Sequence, residues 1–284
     1  MISNHRVVLK QRPSYNTPPS EGDFHYEECP IPEIDDGQIL VKTLYLSMDP
    51  YMVDTKLTGK HYSLMLSLLG LPGLAAFIGI RQKAHINPKG NQTMIVSAAA
   101  GASGSMAVQI SKLEGCSRVV GICGSAEKCK FVTEDLGAND AINYKSEDVD
   151  KRLSETCPHG VDIYFDNVGG EISEAVINHM NDNGHVVLCG QIAMYNTDQE
   201  YPPPLADDIQ DLVCSRDITR DRFLVLNYVE RFQASILQLH KWHKMGKLKC
   251  RESVANGLDK APQAFIAMMS GKNIGKQIVY IADP

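Results

Sequence analysis

Small residues recur at intervals of three in the stretch "MIVSAAAGASGSMA", residues 94–107: Ala98, Gly101, Gly104 and Ala107. An apolar strand pattern runs into them and a helical pattern leaves them. At a strand-to-helix turn this spacing lets the backbone turn tightly and approach a pyrophosphate, whose charge then sits on the helix N-terminus. Glycine there also serves close helix–sheet packing without any ligand. The position at the first turn of an alternating strand–helix run is what points to a nucleotide.

A dinucleotide site declares its cofactor at the end of the second strand, where an acid on the ribose 2′-OH marks NAD. Here "GICGSAEKCK" offers Gly124 and Ser125 in place of that acid, and Lys128 one turn on. A small neutral pair followed by a lysine suits a 2′-phosphate and hence NADP; the other reading of Lys128 is a solvated helix residue. Later strand ends face the same crevice. "FDNVGG" places Asn167 and two glycines at one of them, and "LCGQIAMYN" places Gly190, Gln191 and Tyr195 at the next. Turn chemistry accounts for the glycines, and less well for amide side chains at two successive strand ends.

The elements that would hold these residues follow from periodicity. From residue 91 onward, apolar strands ("TMIVSAA", "RVVGICG", "AINY", "GVDIYFDNVGG", "GHVVLCG") alternate with helices ("GSMAVQISKLEG", "SAEKCKFVTEDLG", "EDVDKRLSETC", "EISEAVINHM"). Ser125 is the expected N-cap and Gly137 the C-cap of the second helix. Apolar strands separated by amphipathic helices predict an α/β fold with a doubly wound parallel sheet, covered on both faces. Further on, "FLVLNY" reads as a strand, "VERFQASILQLHKWHKMG" as a helix and "KQIVYIA" as a last strand. Ahead of residue 91, strands are expected at 6–9 and 39–47 with a loop at "RPSYNTPPSEGD", and a buried helix over 63–80 broken at Gly70–Gly73.

Composition excludes several classes. With 43% hydrophobic and 22% charged residues, the chain has the make-up of a globular protein. A net charge of −6 and no lysine–arginine run argue against nucleic acid and anionic membranes as partners. No apolar stretch is long enough to cross a bilayer, and the first residues lack an apolar signal core, so a cytoplasmic location is expected. The 8 cysteines form no CxxC pair and read as buried free thiols of a reducing compartment. His240 and His243 in "HKWH" have the i, i+3 spacing of two metal ligands, but no cysteine or carboxylate partner lies near. A solvated helix face is the expectation, and no metal.

"MDPYM", "GLPGL", "SAAAGASGS", "GSAEKC", "DIYFDNVGG", "LCGQIAMYN", "YPPPL", "ITRDRFLVLNY" and "GKNIGKQIV" together resemble the zinc-independent medium-chain dehydrogenase/reductases, and within them the prostaglandin reductase branch. The resemblance spans nearly the whole chain. It implies a Rossmann domain over 81–245, and a GroES-like substrate domain built from 1–80 and 246–284. It implies NADPH, and reduction of the carbon–carbon double bond of an α,β-unsaturated ketone such as a 15-oxo-prostaglandin, by a monomer or homodimer. Carried onto matching positions, Gly101, Ala102, Ser103 and Gly104 would take the pyrophosphate, and Lys128 and Tyr144 the adenosine phosphate end. Asn167, the run Cys189, Gly190, Gln191, Ile192, Ala193, Met194 and Tyr195, then Phe223, Leu224, Val225 and Asn273 would line the rest of the cofactor. Tyr51 would touch substrate.

The resemblance breaks at one place. In the family "MDPYM" is followed by a long stretch that completes the GroES-like barrel. Here Met52 runs directly into "VDTKLTGKHYSLMLSLLGLPGL", so a block of the front domain is expected to be missing. Tyr195 is the candidate catalytic residue, a donor to the charge that develops on the substrate carbonyl; the alternative is a core tyrosine that shields the cofactor. Three functions are open: an enone reductase, a shortened chain that binds NADP without efficient turnover, and a zinc alcohol dehydrogenase relative, which the lack of a Cys/His ligand set disfavours.

Overall fold

The computed structural model describes residues 4–11, 17–33, 35, 38–48, 62–195, 197–198 and 201–283. Six strands form one parallel sheet: β4 (Thr93–Ser97), β5 (Arg118–Cys123), β6 (Asp140–Asn143), β7 (Val161–Asp166), β8 (Met180–Leu188) and β9 (Thr219–Arg222). Their spatial order is β6-β5-β4-β7-β8-β9. The order turns back on itself between β4 and β7, which is the doubly wound pattern with its ligand crevice at the reversal.

Period-2 alternation splits the core in two. Met94, Val96, Phe165 and Val187 face one side, with α1 (Leu71–Lys83), α2 (Ala102–Glu114) and α7 (Phe232–Lys244). Ile95, Tyr164, Val186 and Leu188 face the other, with α4 (Val149–Thr156), α5 (Gly170–Asn178) and α6 (Asp207–Ser215). All five residues of β4 are buried, as a strand covered on both faces requires. Ser125 caps α3 (Ala126–Lys130) by accepting from the Lys128 N–H at 3.3 Å, and Gly137 takes a left-handed φ of 75°.

The smaller β-structure draws on distant segments. β1 (Asn4–Leu9) pairs antiparallel with β2 (Phe24–Cys29), and β3 (Tyr45–Ser47) pairs antiparallel with β11 (Lys276–Tyr280). β11 in turn runs parallel to β10 (Glu252–Asn256). A small cluster of Met48, Ala261, Ala264, Met268 and Val279 joins these strands to α8 (Ala261–Met269).

Two expectations change, and four elements join the fold that local pattern does not announce. "FLVLNY" is not a strand: β9 ends at Arg222, and Val225–Arg231 forms a 3₁₀ helix whose Val225 is buried beside Phe223. The expected strand at 39–47 shrinks to Tyr45–Ser47, and Ile39, Leu40 and Val41 lie exposed without a ladder. β2 and β10 carry too many polar residues to read as strands (FHYEEC, ESVAN). α6 and α8 were not expected, because turn residues and methionines obscure their period.

Candidate functional site

A cavity of about 660 Å³ lies over the C-terminal ends of β4, β5, β7 and β8. The loop after β4 forms its floor. Gly101 is the N-cap of α2, and no side chain caps that helix, so its first-turn N–H groups point at the cavity with the positive end of the dipole. The loop is as tight as its small residues suggest. A Cβ on Gly104 would stand 2.2 Å from the Ala98 carbonyl oxygen, a backbone atom with no room to move. Gly275 N–H donates to the Ala100 carbonyl at 2.7 Å, which ties the segment before β11 to this loop.

At the end of β5, Tyr144 packs over Gly124, where an added Cβ would meet its ring at 3.0 Å and the Lys145 side chain at 3.4 Å. The Lys128 ammonium donates to the Gly271 carbonyl at 2.6 Å. Partial burial, helped by neighbouring Lys145, holds its pKa below the ordinary lysine value. Lys128 on the helix after β5 and Lys145 after β6 stand near each other beside Gly124, one of them kept from full hydration, and form a place for an anionic group.

At the reversal, Asn167 donates its side-chain amide to the Ser97 carbonyl at 2.8 Å, and its backbone N–H to the Ser97 hydroxyl at 2.9 Å. The loops after β7 and β8 are stitched together: Ile192 N–H donates to Asn167 O and Ala193 N–H to Val168 O, both at 3.1 Å. Gln191 is 1% exposed; its Nε2 donates to Asp166 at 2.7 Å and its Oε1 is buried with no partner. Tyr195 stands against Gly190, where an added Cβ would meet the phenol oxygen at 2.6 Å. Burial, then neighbouring Tyr201 and Cys189, push that phenol up to about 12, against a hydrogen bond from the Gln191 backbone. It is therefore a neutral O–H donor at ordinary pH.

Comparison with known proteins places this geometry. A model described as zinc-binding dehydrogenase matches residues 102–236, and one described as the N-terminal domain of oxidoreductases matches residues 5–67. The NADPH-dependent curcumin reductase of Escherichia coli is 31% identical over 340 positions, covering 98% of this chain and 97% of that protein. Prostaglandin reductase 1 of Mus musculus is 34% identical, covering 92% and 94%. The chain belongs to the medium-chain dehydrogenase/reductase family. The crystal structure of CurA from Vibrio vulnificus in complex with NADPH superposes with a TM-score of 0.89 at 30% identity, over 99% of this chain and 100% of that one. The curcumin reductase match runs over 340 positions, whereas this family member has 284 residues, so at least 56 positions have no counterpart here.

Within this family member, Gly101, Ala102, Ser103, Gly104, Lys128, Tyr144 and Asn167 line the cavity, as do Cys189, Gly190, Ile192, Ala193, Tyr195 and Asn273. Gln191 and Met194 instead line a smaller cavity of about 280 Å³ behind them. Phe223 and Val225 are buried in the core beside α1, and Leu224 is exposed; none of the three lines the main cavity. Tyr51 and the junction after Met52 lie outside the described residues. Sequence reasoning missed Lys145, whose side chain stands beside Gly124 outside the cavity lining, and also the wall that Met268, Met269, Lys276 and Gln277 contribute. Lys145 follows Tyr144 directly in "INYK" and was readable there; the methionines look like any helix core.

Of the cysteines, Cys116, Cys123 and Cys157 are buried and Cys214 is exposed, and all eight are free thiols. His240 is exposed on α7, and His243 Nδ1 lies 3.0 Å from the Leu248 carbonyl. The described residues hold no group of three or more His, Cys, Asp or Glu placed to bind a metal ion, and no helix among them is long and apolar enough to cross a membrane.

Proposed function

We propose that this protein is an NADPH-dependent reductase of the carbon–carbon double bond of α,β-unsaturated ketones, most similar in role to prostaglandin reductase 2, with 15-oxo-prostaglandins as substrates. NADPH is the cofactor. The observation that carries the reading is the cradle at Gly101–Gly104: backbone at Ala98 leaves no space for a side chain at Gly104, and an uncapped helix end meets the cavity. The name of the mouse relative supports the prostaglandin assignment, and the likeness to CurA bound to NADPH supports the cofactor.

The cofactor, when bound, supplies the hydride that a protein side chain cannot. The chain's own residues do the rest. The first turn of α2 holds the pyrophosphate, Lys128 with Lys145 and Tyr144 holds the 2′-phosphate end, and Asn167 with the stitched loops fixes the far end. The Tyr195 hydroxyl, neutral and on an exposed ring at the cavity wall, donates to the substrate carbonyl oxygen as negative charge gathers there. Residues 1–80 and 246–284 form the substrate half and 81–245 the cofactor half, in the cytoplasm and without nucleic-acid or membrane partners.

The missing positions favour a second reading, in which the shortened chain binds NADPH but turns enones over poorly. Turnover with 15-oxo-prostaglandin, followed by NADPH absorbance, is measured beside limited proteolysis. The second reading expects cofactor binding, slow turnover, and first cuts within residues 1–62. Normal turnover with a protease-resistant front segment supports the first.

A further inference from the structure

Asp166 ends β7 at the reversal of strand order and has no solvent exposure. Its carboxylate accepts six hydrogen bonds. Oδ1 takes the Tyr164 hydroxyl and the N–H groups of Val168 and Gly169 at 2.9 Å each, and the Ser97 hydroxyl at 3.3 Å. Oδ2 takes Gln191 Nε2 at 2.7 Å and the Ser173 hydroxyl. All six donors are neutral. They satisfy the acceptor sites of the group and leave its charge uncancelled, in a low-dielectric setting where a charge acts over distance. Arg220 on β9 lines the smaller cavity together with Ser173 and Gln191, both partners of Asp166, and with Glu171 and Glu174. Half-buried, Arg220 sits within the field of the carboxylate.

The proposed function fixes which end of a dinucleotide lies here, and the role of Asp166 rests on that reading. With the adenosine phosphate at the end of β5 and the pyrophosphate on α2, the nicotinamide end lies over the half formed by β7 and β8. The oxidised nicotinamide ring carries a positive charge that the reduced ring lacks. We propose that Asp166 determines the oxidation-state preference of the site: its buried charge favours NADP⁺ over NADPH, and so makes the bound cofactor a stronger hydride donor. Asp166 is then a positioning and specificity residue that acts through its field and through Gln191.

Fluorescence or calorimetric titration with NADP⁺ and with NADPH separates charge from scaffold, with thermal melts on every variant. Asp166→Asn should raise the ratio Kd(NADP⁺)/Kd(NADPH) roughly tenfold. Ser173→Ala removes one hydrogen bond but keeps the charge, so the melting temperature should fall and the ratio should stay. Arg220→Met removes the opposing cation and should lower the ratio roughly threefold. Equal weakening of both cofactors by Asp166→Asn, or an equal shift of the ratio by Ser173→Ala, overturns the proposal. If Asp166→Asn does not fold, Arg220→Met decides, and an unmoved ratio there overturns it. A wild-type chain that binds neither nucleotide overturns the cofactor assignment itself, a result distinct from an unmoved ratio.

Discussion

β4 and β1 are both short strands, yet β4 (TMIVS) buries all of its residues and β1 (NHRVVL), half of it polar, buries none completely. The difference lies in their neighbours. β4 has a parallel partner on each side and helices over both faces, whereas among the described residues β1 pairs with β2 alone and its Val7 packs against the small cluster beside α8. A two-stranded ribbon is marginal by itself, and its outer edges keep unpaired N–H and C=O groups. Exposed Ile39, Leu40 and Val41 add apolar surface that nothing among the described residues covers. Opening free energy is therefore expected to differ across one chain, highest in the parallel sheet and lowest in the front strands.

The sharpest way to break this comparison is inside the strong half. Gly104→Val forces a side chain onto the Ala98 backbone and should abolish binding of either NADPH or NADH. Retained affinity in a fluorescence titration would make the loop a structural turn with no ligand. Next in size, Phe165→Ala should destabilise the protein by about 3–5 kcal/mol, because the ring is wholly buried. Val7→Ala, on β1, should cost under about 1 kcal/mol. Denaturant melts of the two variants measure the contrast directly, and equal losses would mean that the halves unfold as one unit.

Lys128→Ala sharpens the cofactor end. It should weaken NADPH by roughly 1–3 kcal/mol, as for a lost charge-assisted hydrogen bond, and leave NADH little changed. Equal loss for both would reduce Lys128 to its contact with Gly271. The smallest effect is alkaline. The Tyr195 phenol is raised from about 10 to about 12 in the folded chain. Its contribution to stability is therefore full below pH 10 and is lost as pH rises through 12. In Tyr195→Phe that part of the alkaline decline should disappear from melts taken between these limits.

Much of the nucleotide half was legible in the sequence because local signals agree there. Gly101 and Gly104, Ser125 and Gly137 punctuate runs whose period is unambiguous. The front half was less legible, since its strands rely on partners far away in the chain: Leu46 finds Val279, a pairing that no local pattern encodes. Phe223–Val225 misled for a related reason. Their β-propensity is real, but a buried corner beside Gly79 on α1 overrode it. Asn167, Gly190 and Tyr195 were found because strand-end position implies them, and Tyr144, Cys189, Ile192 and Ala193 because the family resemblance carries them over. Met268 and Met269 were not found, because only tertiary packing turns a helix core into a wall.

The bond from Gly275 to Ala100 bears on synthesis as well as on binding. A ribosome makes the glycine loop long before it makes the segment that closes over it, and domains settle as they emerge. The parallel sheet can form around residues 93–222 while the opposite wall, Met268 to Gln277, is still in the exit tunnel. A nascent chain arrested ahead of Gly271 should hold the dinucleotide weakly, as an open shelf does, and emergence of the segment through Gln277 from the tunnel turns that shelf into a cleft.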